Sequence, residues 1–275
     1  MKKKVISYLL LITLYASNIA MAQSYNIATS EHYNSVQTRL GAHFNYVPVR
    51  GFTLSITPEV YLDLYNTEND TTKIMNRLGG TFEAAYRVNQ YFRTAIHYTC
   101  LGTYHNSKEG KGVSRFWECK HRVGVDVTGY LPIGRFTLSL REQFRTTFRP
   151  MIYNETYYNS AEKLFASMEI RSRLKLSYKA FSKPISPFLS IEMINPLNHN
   201  TYITSYLTLA DYWLSAVHAR IGLDWRLDKY SKLTFYYEYS YSKEYDVDIK
   251  KSGNIKFTPE YSNRHIIGVY YSISF

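Results

Sequence analysis

The chain has 275 residues, including 28 Tyr and 14 Phe, and a formal charge of +11. Aromatic residues abound while long apolar runs are missing beyond the first twenty residues, which excludes a helical membrane protein. The cations recur beside acids at alternate positions instead of gathering in a patch or helix, so the basic charge does not point to a nucleic-acid partner.

Lys2, Lys3 and Lys4 precede an apolar run from Val5 to about Tyr15, and Ala20-Met21-Ala22 supplies small residues two apart. This is the layout of a secretory signal peptide over residues 1–22, with Gln23 as the mature start. The run falls short of the ~20 apolar residues that a spanning helix needs. No cysteine follows the cleavage site to carry a lipid. Removing the three lysines lowers the charge from +11 to +8, and residues 23–275 read as one domain.

Alternation of apolar and polar residues then dominates. Val36, Thr38, Leu40, Ala42, Phe44 and Tyr46 share one face, and Gln37, Arg39, Gly41, His43 and Asn45 the other. That period of two is the mark of a half-buried strand. After a turn at residues 47–51, Phe52, Leu54, Ile56, Val60, Leu62 and Leu64 continue the apolar face, and residues 66–72 form a polar loop. The same reading places strands near 74–87, 91–103, 113–130, 135–148, 164–180, 187–195, 211–228, 232–245 and 264–275.

Connections alternate in length. Residues 88–90, 131–134, 182–184 and 228–230 are tight turns, while 104–112, 149–163, 196–210 and 246–263 are longer and polar or Tyr-rich. Short turns on one side and long loops on the other are the rhythm of an all-β, antiparallel up-and-down transmembrane barrel. Eleven strands are counted, and an even number is expected when the last strand and the short turns share a side. A short first strand at residues 24–29 therefore brings the expectation to about 12, with 10 to 14 open.

If each tight turn sits at the centre of its hairpin, opposed residues share a constant sum. Arg39 then falls opposite Glu59, Asp126 opposite Arg93, Arg173 opposite Glu192, and Arg220 opposite Glu238. Arg141, Arg145, Arg171 and Lys175 share that inward face. The lumen is expected to be wet, charged and net basic. Such charges suit either a salt-bridge network filling a narrow barrel or an anion-preferring pore. Tyr236 and Tyr61 point inward, and outward tyrosines suit an aromatic girdle.

The same arithmetic makes Cys100 and Cys119 directly opposed neighbours on the outward face, able to form a disulfide in an oxidising compartment. His105-Asn106-Ser107 resembles the His-x-Ser pair of outer-membrane lipid hydrolases, of the phospholipase or lipid A deacylase type. That alternative implies Ser107 as nucleophile, His105 as base and Glu118 as orienter. The remaining histidines show no repeated metal-ligand spacing, so no metal is expected, nor any cofactor. Tyr153, Tyr157 and Tyr158 would suit stacking on a glycan, but the identity of a small-molecule or glycan ligand is not written in the chain.

From Ile267 the chain places Val269, Tyr271, Ile273 and Phe275 on one face, with Gly268, Ser272 and Ser274 opposite. This resembles the closing strand of bacterial outer-membrane β-barrels. The resemblance implies that Tyr271, Ile273 and Phe275 form a signal for the barrel assembly machinery. It also implies outer-membrane lipids as partners and the outer membrane of a Gram-negative cell as location. Residues 135–141, 173–178, 187–192, 220–225 and 266–271 together resemble a family of bacterial envelope proteins known only as a domain of unknown function, over residues 36–275. The stretch before residue 36 lacks the early tryptophan of that family. It implies a barrel and supplies no reaction: a structural or narrow anion-preferring, porin-like protein.

Overall fold

A computed structural model describes residues 30–66, 77–109, 112–148, 166–179, 184–198, 207, 209–249 and 255–275. These form eleven strands: β1 (Glu31–Val49), β2 (Phe52–Asn66), β3 (Arg77–Arg87), β4 (Phe92–Glu109), β5 (Gly112–Ile133), β6 (Phe136–Phe148), β7 (Ser167–Tyr178), β8 (Ile185–Pro196), β9 (Ala216–Arg226), β10 (Ser231–Ile249) and β11 (Ile255–Ser274). One helical turn, α1 (Leu209–Tyr212), precedes β9. Each strand pairs antiparallel with its chain neighbour, and β1 closes on β11 to complete a barrel.

An odd number of strands means that the first and last run in the same direction. Closure is therefore parallel, with fifteen aligned pairs from Glu31↔Glu260 to Asn45↔Ser274. An even count is thus not required for closure, and the expected strand at 24–29 lies outside the described residues. Two expected loops are strand instead: β4 and β5 run on to Glu109 and Gly112, and β10 and β11 to Ile249 and Ile255. Polar strand ends beyond the apolar alternation read as loop, but backbone pairing continues there regardless of side-chain polarity. The strand expected from residue 211 begins at Ala216, after α1 and a short connection.

The two faces are segregated in the reverse of a water-soluble domain. On β5, Val123, Val125 and Val127 are 43, 47 and 54% exposed, while Asp126 and Thr128 between and beside them are buried. On β8, Leu189, Ile191 and Met193 face out, while Ser190 and Glu192 are buried. The outward apolar side chains encircle the barrel, with Phe82, Ile96, Phe144, Leu174, Ile221, Phe235 and Ile267 all exposed. Tyr237, Tyr239, Tyr241 and Tyr271 join this outer surface, whereas Tyr236 is buried inside.

Inside, aromatic rings lie over glycines of the next strand. Tyr236 is paired with Gly268, Phe188 with Gly222, and Tyr270 with Gly41. A Cβ on Gly268 would come within 2.0 Å of the Tyr236 ring, one on Gly222 within 2.4 Å of Phe188, and one on Gly41 within 2.5 Å of Tyr270. Glycine is needed here for close approach, and the ring covers the backbone that glycine leaves bare. Gly268→Ala is expected to lower stability by about 2 kcal/mol through overpacking, read as a shift of the urea midpoint in detergent. An unchanged midpoint would show that the Tyr236 ring moves aside freely.

The β9–β10 turn is held by Asp228, whose carboxylate accepts hydrogen bonds from the Tyr230 N–H (2.6 Å), the Ser231 N–H (2.7 Å) and the Ser231 hydroxyl (2.5 Å). These donors, the Ser231 hydroxyl foremost, hold its pKa below the ordinary aspartate value. A depressed folded-state pKa stabilises the turn above the unfolded value, near 4, and that contribution is lost as pH falls through the lower folded one. Amide exchange of Tyr230 and Ser231 is expected to speed up under acid, and to be fast at neutral pH in Asp228→Ala. Equal protection in the variant and the unsubstituted chain would contradict this.

Candidate functional site

The inward side chains enclose a cavity of about 850 Å³. Twelve Lys and Arg and seven Asp and Glu line it, an excess of five positive charges. Charges on this scale can be held inside a barrel only when paired or hydrated, since an isolated one costs several kcal/mol.

Two networks pair most of the acids. In the first, Arg39 forks onto Glu59, with Nη2 at 2.9 and 2.7 Å from its two oxygens. The Tyr61 and Tyr270 hydroxyls donate to the same carboxylate at 2.8 and 2.6 Å. The Arg39 guanidinium also lies 4.9 Å from the Tyr61 ring centre. In the second, Glu192 on β8 takes Arg141 at 3.0 Å and Arg171 at 3.1 Å, while Glu169 takes Arg145 at 2.5 Å. Arg220 pairs with Glu238, and His218 lies between Glu192 and Glu238 at 3.9 and 3.8 Å.

A further group shares the cavity wall through Glu83 and His97. Arg93 pairs with Glu83 and lies 3.9 Å from Asp126. His97 presents Nδ1 to Glu83 (3.5 Å) and Nε2 to Asp126 (3.1 Å). The Asp126 carboxylate is fully covered and neither of its oxygens has a hydrogen-bond partner among the described residues, so its charge is balanced electrostatically by the nearby Arg93 and His97.

Other cations have no acid. Among the described residues, Arg77, Arg122, Arg173 and Arg264 have no carboxylate within ion-pair distance, although all four line the cavity. Lys175 is seated 4.0 Å from the Phe188 ring centre, a cation–π contact in place of an ion pair. Phe188, Tyr236 and Ile266 pack into a small apolar cluster inside the barrel, with Tyr270 against it. Fixed cations over aromatic rings thus narrow the lumen while leaving positive charge unneutralised.

The expected pairings are partly shifted. Arg173 is opposite Glu192 and Arg220 opposite Glu238. Arg39, however, is opposite Tyr61, with Glu59 opposite Gly41, and Asp126 is opposite Ala95, with Arg93 opposite Thr128. Those two hairpin centres lie one residue further along the chain than the turn composition suggested. The slip is two positions in register, which keeps every face, so the ion pairs form diagonally. Arg173 leaves Glu192 to Arg141 and Arg171, which reach it from β6 and from the diagonal position on β7.

The same slip separates the cysteines. Cys100 is opposite His121 and Cys119 opposite Gly102. They are diagonal neighbours with Sγ atoms 3.1 Å apart and no bond between them. His121 was not singled out from the sequence, yet its spacing of two from Cys119 places it on the same outward face.

Of the hydrolase alternative, the backbone sets Ser107 opposite Ser114, His105 opposite Phe116, and Glu118 opposite Thr103. Their side chains, like residues 153–158, lie outside the described set. Tyr271 is exposed on the outer face of β11, Ile273 after it is half-buried, and Phe275 is exposed just past the strand's end.

No protein-family model matches the chain. No curated protein matches it either. Among solved structures, the chain is similar to the β domain of the Bordetella autotransporter Brka, at 13% identity over 83% of this chain and 86% of that one, with a TM-score of 0.46. It is also similar to an anion-selective porin from Comamonas acidovorans, at 13% identity over 82% of this chain and 55% of that one, with a TM-score of 0.33. The chain thus spans about half the length of that porin.

Proposed function

We propose that this chain is an outer-membrane barrel of a Gram-negative cell whose narrow, basic lumen passes small anions in preference to cations. The observation that carries the reading is the lining itself: five more cationic than anionic side chains, four of them arginines with no acid at hand among the described residues. Residence in lipid is supported by the exposed valines, leucines, isoleucines and aromatics around a closed sheet with a charged interior. A closed barrel satisfies its backbone internally and can bear an apolar exterior only in an apolar solvent. The two ion-pair networks keep the wall in shape and the passage narrow. Secretion by residues 1–22 and assembly through the outer face of β11 belong to the same proposal.

The test is conductance in planar bilayers under a salt gradient. Discrete steps with a reversal potential of the sign set by anion flow are expected. A silent bilayer containing folded protein would leave a structural barrel, and a cation-selective reversal potential would refute the charge argument.

A further inference from the structure

The outer wall holds a cluster that the lumen does not use. Cys100 on β4 and Cys119 and His121 on β5 each place a ligand atom within 4.8 Å of the others, on the lipid-facing side. Cys119 Sγ lies 3.1 Å from Cys100 Sγ and 3.7 Å from His121 Nε2. All three side chains are half-buried.

The fold explains why they meet. Diagonal positions across an antiparallel pair are within reach of one another, and strand twist brings one diagonal closer than the other. Gly102, opposite Cys119, places no side chain beside the thiol, and the Trp117 ring leans over that glycine, 3.3 Å from where a Cβ would stand. On the other flank the Tyr98 ring stacks on His121, centroids 5.9 Å apart, and its hydroxyl lies 2.5 Å from His121 Nδ1.

That contact orients the imidazole. When Nδ1–H donates to the Tyr98 oxygen, the lone pair rests on Nε2, the nitrogen that faces Cys119. An outer partner on the far nitrogen is the usual support of a ligating histidine.

We propose that Cys100, Cys119 and His121 bind one thiophilic divalent ion of the zinc type, fastening the β4–β5 hairpin from outside. Two sulfurs and an imidazole are the donor set that suits such an ion, with a fourth position left to water or another ligand. Tetrahedral coordination needs sulfurs about 3.8 Å apart, which small rotations of both cysteine side chains supply. Charge also favours the ion. Two thiolates and a neutral imidazole around a divalent cation sum to zero, the state least penalised beside an apolar phase. The thiol protons are released to solvent on binding. The site faces away from the lumen, so it stands or falls separately from anion passage.

The test uses the full chain, folded in detergent and reduced, titrated with Cd²⁺ as probe. A thiolate-to-metal absorption band that saturates at one ion per chain is expected, together with protection of both thiols from maleimide by one equivalent of Zn²⁺. Cys100→Ser and Cys119→Ser should abolish the band, His121→Asn should weaken binding more than tenfold, and Tyr98→Phe about tenfold. Heat-dependent gel mobility identifies folded variants, and zinc protection in the unsubstituted chain serves if a variant does not fold. No band at several equivalents, or binding unchanged in His121→Asn, would overturn the proposal. So would recovery of the two sulfurs already bonded to each other from envelopes isolated without reductant.

Discussion

In planar bilayers, Arg122→Glu combined with Arg173→Glu is expected to cut the anion preference about tenfold relative to the unsubstituted chain. Each replacement removes one positive charge and adds one negative, so the lining excess falls from five to one. At the dielectric of a water-filled passage, near 80, a unit charge about 8 Å from a permeating ion contributes about 0.5 kcal/mol, so exchanging four charge units gives about 2 kcal/mol before screening, which reduces it to about the tenfold change. Neither arginine is in ion-pair contact with a described acid, but Arg173 lies opposite Glu192, where a glutamate meets a like charge, so heat-dependent gel mobility must show the variant folded before its selectivity is read. The effect should shrink at high salt, where the Debye length falls to about 3 Å. An unchanged reversal potential would mean that ions do not pass these side chains.

Glu192→Gln is expected to act on stability instead, lowering it by about 3 kcal/mol or more. Its carboxylate is the shared partner of Arg141 and Arg171, 3.0 and 3.1 Å away, with Arg173 opposite and His218 at 3.9 Å. The side chain is 7% exposed, so water does not readily replace the lost charge. Breaking one side of such a cluster leaves several cations facing each other in a poorly hydrated space. Urea unfolding in detergent measures the cost, and a companion variant with Arg141→Gln as well should recover part of it. A Glu192→Gln midpoint within error of the unsubstituted chain would show that this network is solvated and the lumen much wetter than the ion pairs imply.

The sequence carried the face of nearly every strand and much less of the register. Alternation at 36–46 or 123–128 sets which side chains face out, because a slip of two residues changes nothing about parity. Turn centres are harder to read. At residues 47–51, five residues offer several centres, and the real one pairs Arg39 with Tyr61 instead of Glu59. Around Gly110, two strands of polar composition extend through what reads as loop, moving Cys119 opposite Gly102. The tight turns near 182 and 229 left less latitude, and there Arg173↔Glu192 and Glu238↔Arg220 are as expected.

Two features could not be read at all without coordinates. Parallel closure of β1 on β11 depends on shear and on pairing between segments more than 200 residues apart. The Cys100, Cys119 and His121 cluster depends on a diagonal contact that a one-dimensional spacing rule for metal ligands does not contain.

Spin labels or fluorophores placed singly at residues 123 to 128, in a chain with Cys100 and Cys119 replaced by Ser, test the central claim most directly. In liposomes, labels at 123, 125 and 127 are predicted to respond to a quencher confined to lipid, and labels at 124, 126 and 128 to one confined to water. A uniform response along this stretch, or full access to the aqueous quencher at the three valines, would contradict a lipid-facing barrel with a charged interior.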